Sequence, residues 1–199
     1  MASKITIIDY GLGNLLSISN MLNYLNIEYK ITNNPEEIEN AQKLIIPGVG
    51  SFDTAIYLLK KNKIFNSIMK AFESNVIILG ICLGMQIFYE KSDEGNCNGL
   101  GILKGKIVKF KKYENIIIPH IGWNSINSNN IAEFNLKNKK FYFLHSYHPE
   151  VTIKQHFDSV KYSYNFPAVI KYNNVFGVQF HPEKSGENGM QFFKEFNLL

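Results

Sequence analysis

Cys82 lies between Gly80 and Gly84, directly after an apolar run that begins at Val76. The spacing G-x-C-x-G is typical of a nucleophile elbow, because small residues on both sides permit a sharp turn from a strand into a helix. A thiol at such a turn lies near the N-terminus of the helix, where the partial positive charge favours the thiolate. The pattern predicts that Cys82 is a nucleophile; the alternative is a buried structural cysteine, which is common in proteins.

A cysteine nucleophile needs a base, and the base needs a group that orients it. The chain contains the tripeptide His-Pro-Glu twice, beginning at His148 and at His181. In both copies the proline-stiffened turn brings a carboxylate near the imidazole. His181 follows the alternating strand-like segment Val175–Phe180, whereas His148 leads into a polar stretch. The residues alone leave both copies open, and His145 and His120 are weaker candidates because no carboxylate follows them closely.

The segment 47–50, of sequence PGVG, follows the apolar run Lys43–Ile46. The active sites of α/β proteins lie at the carboxyl ends of such strands. Two glycines allow a backbone N–H to turn toward a developing oxyanion, and such a donor supplies about 3–4 kcal/mol of transition-state stabilisation. A plain tight turn explains the segment equally well on this information alone.

Strands and helices alternate through the first half of the chain. Continuous apolar strands separated by helices predict an α/β fold with a parallel sheet that is covered on both faces. The predicted strands there are Lys4–Asp9, Glu28–Ile31, Lys43–Ile46 and Val76–Gly80, and the predicted helices are Asn14–Leu25, Phe52–Lys60, Ile64–Ser74 and Leu83–Glu90.

The second half of the chain is richer in strands and ends in a short helix. No linker, repeat or low-complexity segment divides the chain, so residues 1–199 are expected to form one domain. The predicted strands there are Ile102–Phe110, Asn115–Ile118, Lys140–Leu144, Ser159–Tyr164, Ala168–Tyr172 and Val175–Phe180, followed by a helix near Gly189–Phe196.

Composition excludes several classes of function. The chain has 199 residues and a net charge of +4, and all 21 of its basic residues are lysines. A nucleic-acid partner is not expected, because planar recognition of phosphates and base edges is mostly the work of arginine. No stretch approaches the roughly 20 apolar residues that span a bilayer, so no membrane association is expected. With Cys82 at a turn and Cys97 in a polar loop, a reduced cytoplasmic protein is the expectation.

Six short motifs resemble those of the class I (triad) glutamine amidotransferases, and they resemble most closely the glutaminase subunits of imidazole glycerol phosphate synthases. The resemblance covers essentially the whole chain, and the order and spacing of the motifs are highly specific together. The motifs are DYGLGNL at 9–15, PGVGSF at 47–52, GICLGMQ at 80–86, PHIGWN at 119–124, LHSYH at 144–148 and GVQFHPEKS at 177–185.

The resemblance implies a three-layer, flavodoxin-like α/β fold with a central, mostly parallel sheet and an additional antiparallel strand region. It implies Cys82 as the nucleophile, His181 as general base and acid, and Glu183 as the group that orients His181. Backbone N–H groups of Val49 and Leu83 are implied to hold the oxyanion. The residues implied to bind substrate glutamine are Gly50, Gln86, Glu94, Ser146 and Tyr147.

The resemblance also implies a partner and the absence of a cofactor. The expected partner is a (β/α)8-barrel cyclase subunit, which receives the ammonia for histidine biosynthesis within a heterodimer. Asn14, Trp123 and Lys184 are implied to face this partner. Glutamine hydrolysis of this kind needs no metal and no organic cofactor.

Two departures from the family pattern keep other functions open. Leu16 stands where family members commonly carry arginine, and His148 stands where they commonly carry tyrosine. A paralogous subunit that feeds ammonia to another synthase, for example for the amidination of surface sugars, is therefore an alternative. A catalytically silent docking subunit and a free-standing cysteine hydrolase are further alternatives, although the set of Cys82, His181 and Glu183 argues against the first of these.

Overall fold

The computed structural model describes residues 4–112, 116–128, 130–151 and 156–199. Within these ranges the strands are β1 (Ile5–Ile8), β2 (Tyr29–Thr32), β3 (Lys43–Ile46), β4 (Ile77–Ile81), β5 (Tyr89–Ser92), β6 (Leu103–Lys109), β7 (His120–Ser125), β8 (Lys140–His145), β9 (Tyr147–Pro149), β10 (His156–Tyr162), β11 (Tyr164–Tyr172) and β12 (Val175–Val178). The helices are α1 (Leu15–Tyr24), α2 (Pro35–Glu39), α3 (Phe52–Lys61), α4 (Ile64–Glu73), α5 (Leu83–Gln86) and α6 (Gly186–Leu198), with a 3-10 turn at Pro182–Lys184.

The central sheet has seven strands in the order β10-β11-β12-β4-β3-β1-β2. The five strands from β12 to β2 run parallel, whereas β10, β11 and β12 pair in antiparallel fashion. A three-stranded sheet (β5-β6-β9) and the hairpin β7-β8 complete the strand arrangement of the described residues. The predicted fold class, a mostly parallel central sheet with an additional antiparallel strand region, is confirmed.

Alternating side chains of the buried strands enter two separate cores. In β3, Ile45 packs on one face of the sheet, and Leu44 and Ile46 pack on the other. This alternation is expected because successive side chains of a strand point to opposite faces. Helices α1 and α6 cover the first face, and α3 and α4 cover the second, which makes three layers.

The predicted helix Leu83–Glu90 was wrong in its second half. Helix α5 ends at Gln86, and the chain then forms strand β5, in which Tyr89 pairs with Leu103 of β6. Tyr89 is fully buried. Pairing with a strand that lies later in the chain therefore outweighs the local helical pattern. The periodicity of a single sequence does not reveal such pairing.

Two predicted strands also differ from the structure. Asn115 lies outside the described residues, and residues 116–118 form no strand; strand β7 begins at His120, after a proline that cannot donate to a ladder. The predicted strand Ser159–Tyr164 is interrupted at Ser163, which adopts a φ of 65° in the turn between β10 and β11. Helix α2 was not predicted; Asn34 caps its first turn by accepting from the N–H of Glu36.

None of the helices in the described part of the chain combines the length and the apolar character that crossing a bilayer requires.

Candidate active site

Cys82 occupies a strained turn between β4 and α5. Its φ of 54° and ψ of −110° lie in a region that residues with a side chain rarely adopt. The N–H of Cys82 donates to the carbonyl of Val178 at 2.7 Å, which ties the turn to the end of β12. A non-glycine residue held in such a conformation is typical of functional sites, where the surrounding structure compensates the strain.

The two flanking glycines are required by close packing of backbone. A Cβ atom on Gly84 would lie 1.9 Å from the carbonyl oxygen of Ile46, at the end of β3. A Cβ atom on Gly80 would lie 2.5 Å from the carbonyl oxygen of Gly84. These distances are far below van der Waals contact, so only glycine allows the elbow to approach the end of β3. The same approach brings segment 47–50 next to Cys82.

His181 follows β12 and is held in place from two sides. Its backbone N–H donates to the carbonyl of Tyr142 at 2.8 Å, and its Nδ1 lies 2.8 Å from Oε1 of Glu183. A carboxylate oxygen accepts, so Nδ1 carries a proton and donates it. The other ring nitrogen, Nε2, is thereby left for Cys82, whose proximity helps to raise the pKa of His181.

The electrostatic surroundings of His181 favour its protonated form. Burial alone lowers the pKa of a histidine, but the hydrogen bonds and negative charges of Cys82 and Glu183 outweigh burial and raise the pKa of His181 to about 10. At neutral pH the imidazole therefore carries a proton that it can deliver to a leaving group. Cys82, His181 and Glu183 thus have the geometry of a nucleophile, a base and an orienting carboxylate.

The other copy of the tripeptide is occupied by different contacts. Nδ1 of His148 lies 2.8 Å from the carbonyl of Pro149, and its Nε2 lies 2.7 Å from the hydroxyl of Tyr164. Both ring nitrogens are therefore engaged away from Cys82. Between the two His-Pro-Glu copies, which the residue pattern left open, the structure brings only the second to the thiol.

His145 and His120 form a buried pair. Nδ1 of His120 lies 3.1 Å from Nε2 of His145, and Nδ1 of His145 lies 2.8 Å from the carbonyl of Tyr147. The carbonyl fixes a proton on Nδ1 of His145, so its Nε2 accepts from His120. Burial lowers the pKa of both histidines, that of His120 to about 4. The two rings are therefore neutral at pH 7, and they hold the segment that follows β8.

A cavity of about 260 Å³ opens over Cys82. Its volume suits a small molecule such as an amino acid, because pockets for drug-sized ligands begin at roughly 300 Å³. The residues that line it are Val49, Gly50, Cys82, Leu83, Gln86, Glu94, Pro119, Leu144, His145, Ser146, Tyr147 and His181. The structure therefore brings together all the residues that were expected to hold the oxyanion and to bind the substrate.

Leu83, Val49 and Gly50 line the cavity that contains Cys82. Leu83 is the first residue of α5, and the first N–H groups of a helix have no partner within the helix. Val49 and Gly50 line the same cavity, and Gly50 has a φ of 102°. This positive φ is accessible to glycine at little cost, so the peptide orientation at segment 47–50 depends on Gly50.

The polar groups of the cavity are anchored to the structure around it. Oε2 of Glu94 accepts from the N–H of Phe52 at 2.8 Å, at the start of α3. Nε2 of Gln86 donates to the carbonyl of Tyr147 at 3.0 Å. Glu94, Gln86, Ser146 and Tyr147 thus line one small volume.

Of the three residues expected to face a partner, Trp123 and Lys184 are exposed and Asn14 is half-buried. Trp123 is 55% exposed and stands edge-on to the ring of Tyr142, and Nζ of Lys184 lies 5.8 Å from the centre of the same ring. Asn14 caps α1 by accepting from the N–H of Ser17. Lys184 and Trp123 are thus brought together on one surface, and Asn14 marks the start of the helix that packs beside the turn of Lys184.

Sequence reasoning gave no role to Gln179, which the structure places against the thiol. Nε2 of Gln179 lies 3.6 Å from Sγ of Cys82. The extended segment before His181 could have pointed to Gln179, because side chains two positions apart in such a segment face the same side. Within the described residues, no cluster of three or more His, Cys, Asp or Glu side chains is arranged to hold a metal ion.

Comparison with protein families gives a match to the class-I glutamine amidotransferase model over residues 6–198. The chain belongs to this family. Among related amidotransferases is "Imidazole glycerol phosphate synthase subunit HisH" of Caldanaerobacter subterraneus subsp. tengcongensis, which is 44% identical over 98% of each chain. The protein of the same name from Bacillus subtilis is 40% identical, with 98% of this chain and 96% of the relative covered.

Solved amidotransferase structures share the fold at low sequence identity. A crystal structure described as a glutamine amidotransferase superposes with a TM-score of 0.73 at 17% identity, over 98% of this chain and 99% of the other. The structure of PurLQS from Thermotoga maritima gives a TM-score of 0.72 at 20% identity, over 98% and 97% of the two chains. These likenesses confirm the class I amidotransferase fold.

Proposed function

We propose that this chain is the glutaminase subunit of an imidazole glycerol phosphate synthase. In this role it hydrolyses glutamine to glutamate and supplies the ammonia to a cyclase subunit for histidine biosynthesis. The observation that carries the proposal is a cavity of amino-acid size that Cys82 and His181 line, with Glu183 bound to the other ring nitrogen of His181. The relatives named as HisH subunits, 44% and 40% identical, support the choice of synthase.

The first half of the reaction is acyl transfer to sulfur. The thiolate of Cys82 attacks the side-chain carbonyl carbon of glutamine, and the carbonyl oxygen becomes an oxyanion between the N–H groups of Val49 and Leu83. The carbon–nitrogen bond then breaks as His181 transfers its proton from Nε2 to the leaving nitrogen. Ammonia and a glutamyl thioester are the products of this half.

The second half regenerates the thiol. His181, now neutral, accepts a proton from water as the water attacks the thioester carbonyl. The carbon–sulfur bond breaks, glutamate leaves, and the thiolate of Cys82 returns beside the imidazolium. Glu183 holds the imidazole in one tautomer throughout, because its carboxylate accepts from Nδ1.

The cavity supplies a complementary group for each end of the substrate. The carboxylate of Glu94 suits the α-ammonium group of glutamine, since a charge-assisted hydrogen bond is stronger than a neutral one. Backbone N–H groups near Ser146 and Tyr147 suit the α-carboxylate. Gln86 and Gly50 border the amide end of the bound substrate.

The proposed partner is a (β/α)8-barrel cyclase subunit, which docks on the surface that carries Asn14, Trp123 and Lys184. Exposed apolar side chains on this side, among them Ile121 at 57%, support a protein contact. The proposed location is the cytoplasm, where a free nucleophilic thiol stays reduced.

The test is glutamine hydrolysis by the purified chain, alone and with the cyclase subunit of the same organism and its nucleotide ligand. We expect stimulation by the liganded partner and loss of activity in Cys82→Ala. The same variant is expected to support the synthase when ammonium replaces glutamine. Cys97→Ser is the matched control, because it removes the other free thiol and is expected to keep full activity.

A subunit that feeds another synthase is the second candidate, and Leu16 favours it. This side chain is apolar and 72% exposed on α1, at a position where family members commonly carry arginine. Glutamine hydrolysis that the cyclase does not stimulate, with Cys82 still modified by a glutamine-analogue inhibitor, would favour this candidate. Activity that is full without any partner would favour a free-standing hydrolase.

A further inference from the structure

Gln179 is a completely buried polar residue for which the reaction above has no use. It follows β12 directly, and its backbone N–H donates to the carbonyl of Ala168 at 2.8 Å. Its side-chain amide lies between Cys82 and Gln86. Burying an amide is costly unless its donors and acceptors are satisfied, so these contacts require an explanation.

The orientation of this amide follows from its neighbours. Nε2 of Gln86 lies 3.0 Å from the carbonyl of Tyr147, and a carbonyl oxygen can only accept. The group of Gln86 at this place is therefore the amide nitrogen, which also donates to Oε1 of Gln179 at 3.1 Å. Oε1 of Gln179 must then face Gln86. Its nitrogen is thereby turned to Cys82, and Nε2 lies 3.6 Å from Sγ.

The backbone directs Gln179 and His181 to the same atom. Side chains two positions apart in an extended segment face the same side, and both of these reach Cys82. Phe180, between them, points away and stacks on Phe141 with ring centres 4.0 Å apart. The segment after β12 therefore presents a donor and a base to the sulfur together, and it packs its apolar residue in the core.

We propose that Gln179 belongs to the machinery of the nucleophile: its amide donates a hydrogen bond to the Cys82 thiolate and couples the sulfur to Gln86. A donor to the charged form of an acid stabilises that form. The chain of contacts from Tyr147 through Gln86 and Gln179 to Cys82 also fixes the sulfur relative to the substrate cavity. The role in turnover rests on the proposed glutaminase function, whereas the effect on the thiol does not.

Other titratable groups lie near Cys82. His181 and the buried phenol of Tyr10 interact with it electrostatically, and His145 and Glu94 line the same cavity. All four remain in place when only Gln179 is replaced. A change in the ionisation of Cys82 in such a variant therefore reports the loss of the Gln179 donor.

The experiment is the pH dependence of alkylation of Cys82 by iodoacetamide, followed by mass spectrometry of its peptide so that Cys97 is counted separately. Gln179→Leu removes the donor, and Gln179→Glu replaces it with a carboxylate of the same shape. We expect the apparent pKa of alkylation to rise by about one pH unit or more, since a hydrogen bond to a charged group has roughly this effect. The rise is expected to be larger for Gln179→Glu.

The matched control is Gln42→Glu, the same chemical change at an exposed glutamine that accepts from the N–H of Lys4. It is expected to leave the alkylation profile unchanged. In turnover with the partner, kcat of the Gln179 variants is expected to fall about tenfold or more, with a smaller rise in KM. A merely structural role of Gln179 would lower the amount of folded protein without moving the alkylation profile.

An unchanged alkylation pKa in Gln179→Leu, with circular dichroism of the folded chain, would overturn the proposal. If that variant does not fold, the unbranched substitution Gln179→Met is measured in its place with the same criterion. A failure to hydrolyse glutamine with any partner would instead remove the proposed function. The alkylation profiles would still decide the role of Gln179 in that case.

Discussion

Nδ1 of His181 lies 2.8 Å from Oε1 of Glu183, and both side chains are almost completely removed from solvent. The second carboxylate oxygen of Glu183 is buried and has no hydrogen-bond partner among the described residues. The hydrogen bond to His181 therefore comes with a buried, unsatisfied carboxylate oxygen, which costs free energy. Such a cost is expected where the group serves chemistry rather than stability.

Glu183→Gln is expected to lower kcat for glutamine roughly 10²–10⁴-fold while the fold is kept, because the amide no longer enforces the tautomer of His181. The charge of Glu183 helps to raise the pKa of His181. The alkaline limb of the pH–rate profile is therefore expected to move to lower pH. Glu187→Gln, on the exposed first turn of α6, is the matched control. An unchanged kcat in Glu183→Gln would contradict the proposed role.

Cys82→Gly is expected to be more stable than Cys82→Ala, although both lose glutamine hydrolysis. The φ of 54° at this position strains any residue with a Cβ atom, and glycine relieves the strain. After the larger unfolded-state entropy of glycine is subtracted, a difference of about 1 kcal/mol in the free energy of unfolding is expected. Urea denaturation of the two variants measures it. A Cys82→Gly variant that is less stable than Cys82→Ala would mean that the elbow stores no appreciable strain.

Glu94→Gln is expected to raise KM for glutamine about 10–100-fold with a smaller effect on kcat, because it removes the charge that pairs with the α-ammonium group. The amide oxygen can still accept from the N–H of Phe52, so the contact at the start of α3 is kept. Steady-state kinetics with the liganded partner gives both constants. Glu90→Gln, on the neighbouring strand β5 and outside the cavity, is the comparison variant. A loss confined to kcat would argue against substrate binding by Glu94.

The free energy of unfolding is expected to fall as the pH is lowered from 6.5 toward 4. Burial lowers the pKa of His120 to about 4 in the folded state, whereas the unfolded chain titrates near 6.5. Between these values the unfolded state binds more protons, so stability that is present above pH 6.5 is lost as the pH falls. His120 alone accounts for about 2–3 kcal/mol at pH 4.5. Burial lowers the pKa of His145 and His148 as well, which adds to the loss.

Urea denaturation at pH 7 and pH 4.5 measures this dependence. His120→Gln is expected to make it shallower, and His156→Gln, at an exposed histidine of β10, is the control for the substitution itself. His181 acts in another window: its raised pKa contributes stability that is complete below pH 6.5 and is lost as the pH rises toward 10. An acid-limb slope identical in His120→Gln and the unchanged chain would show that this buried pair does not control acid stability.

The sequence by itself determined the central layers and the position of the glycine-flanked turn that carries Cys82. Helices α1, α3 and α4 and strands β1, β3 and β4 were predicted close to their observed bounds. Their apolar periodicity is local, and it reflects burial on one helix face or on both faces of a strand. The turn at Cys82 was also predicted. The two glycines that allow its backbone to pack closely lie within five residues of sequence, so the signal is local.

Tertiary structure alone decided which partners the thiol has. His148 and His181 begin identical tripeptides, yet pairing of β9 with β6 places the first among aromatic rings, and the end of β12 delivers the second to Cys82. The role of Gln179 and the early end of α5 are likewise invisible in the local pattern. The physical reason is common to all three: each depends on contacts between segments that are far apart in the chain, and these form only when the sheet is assembled.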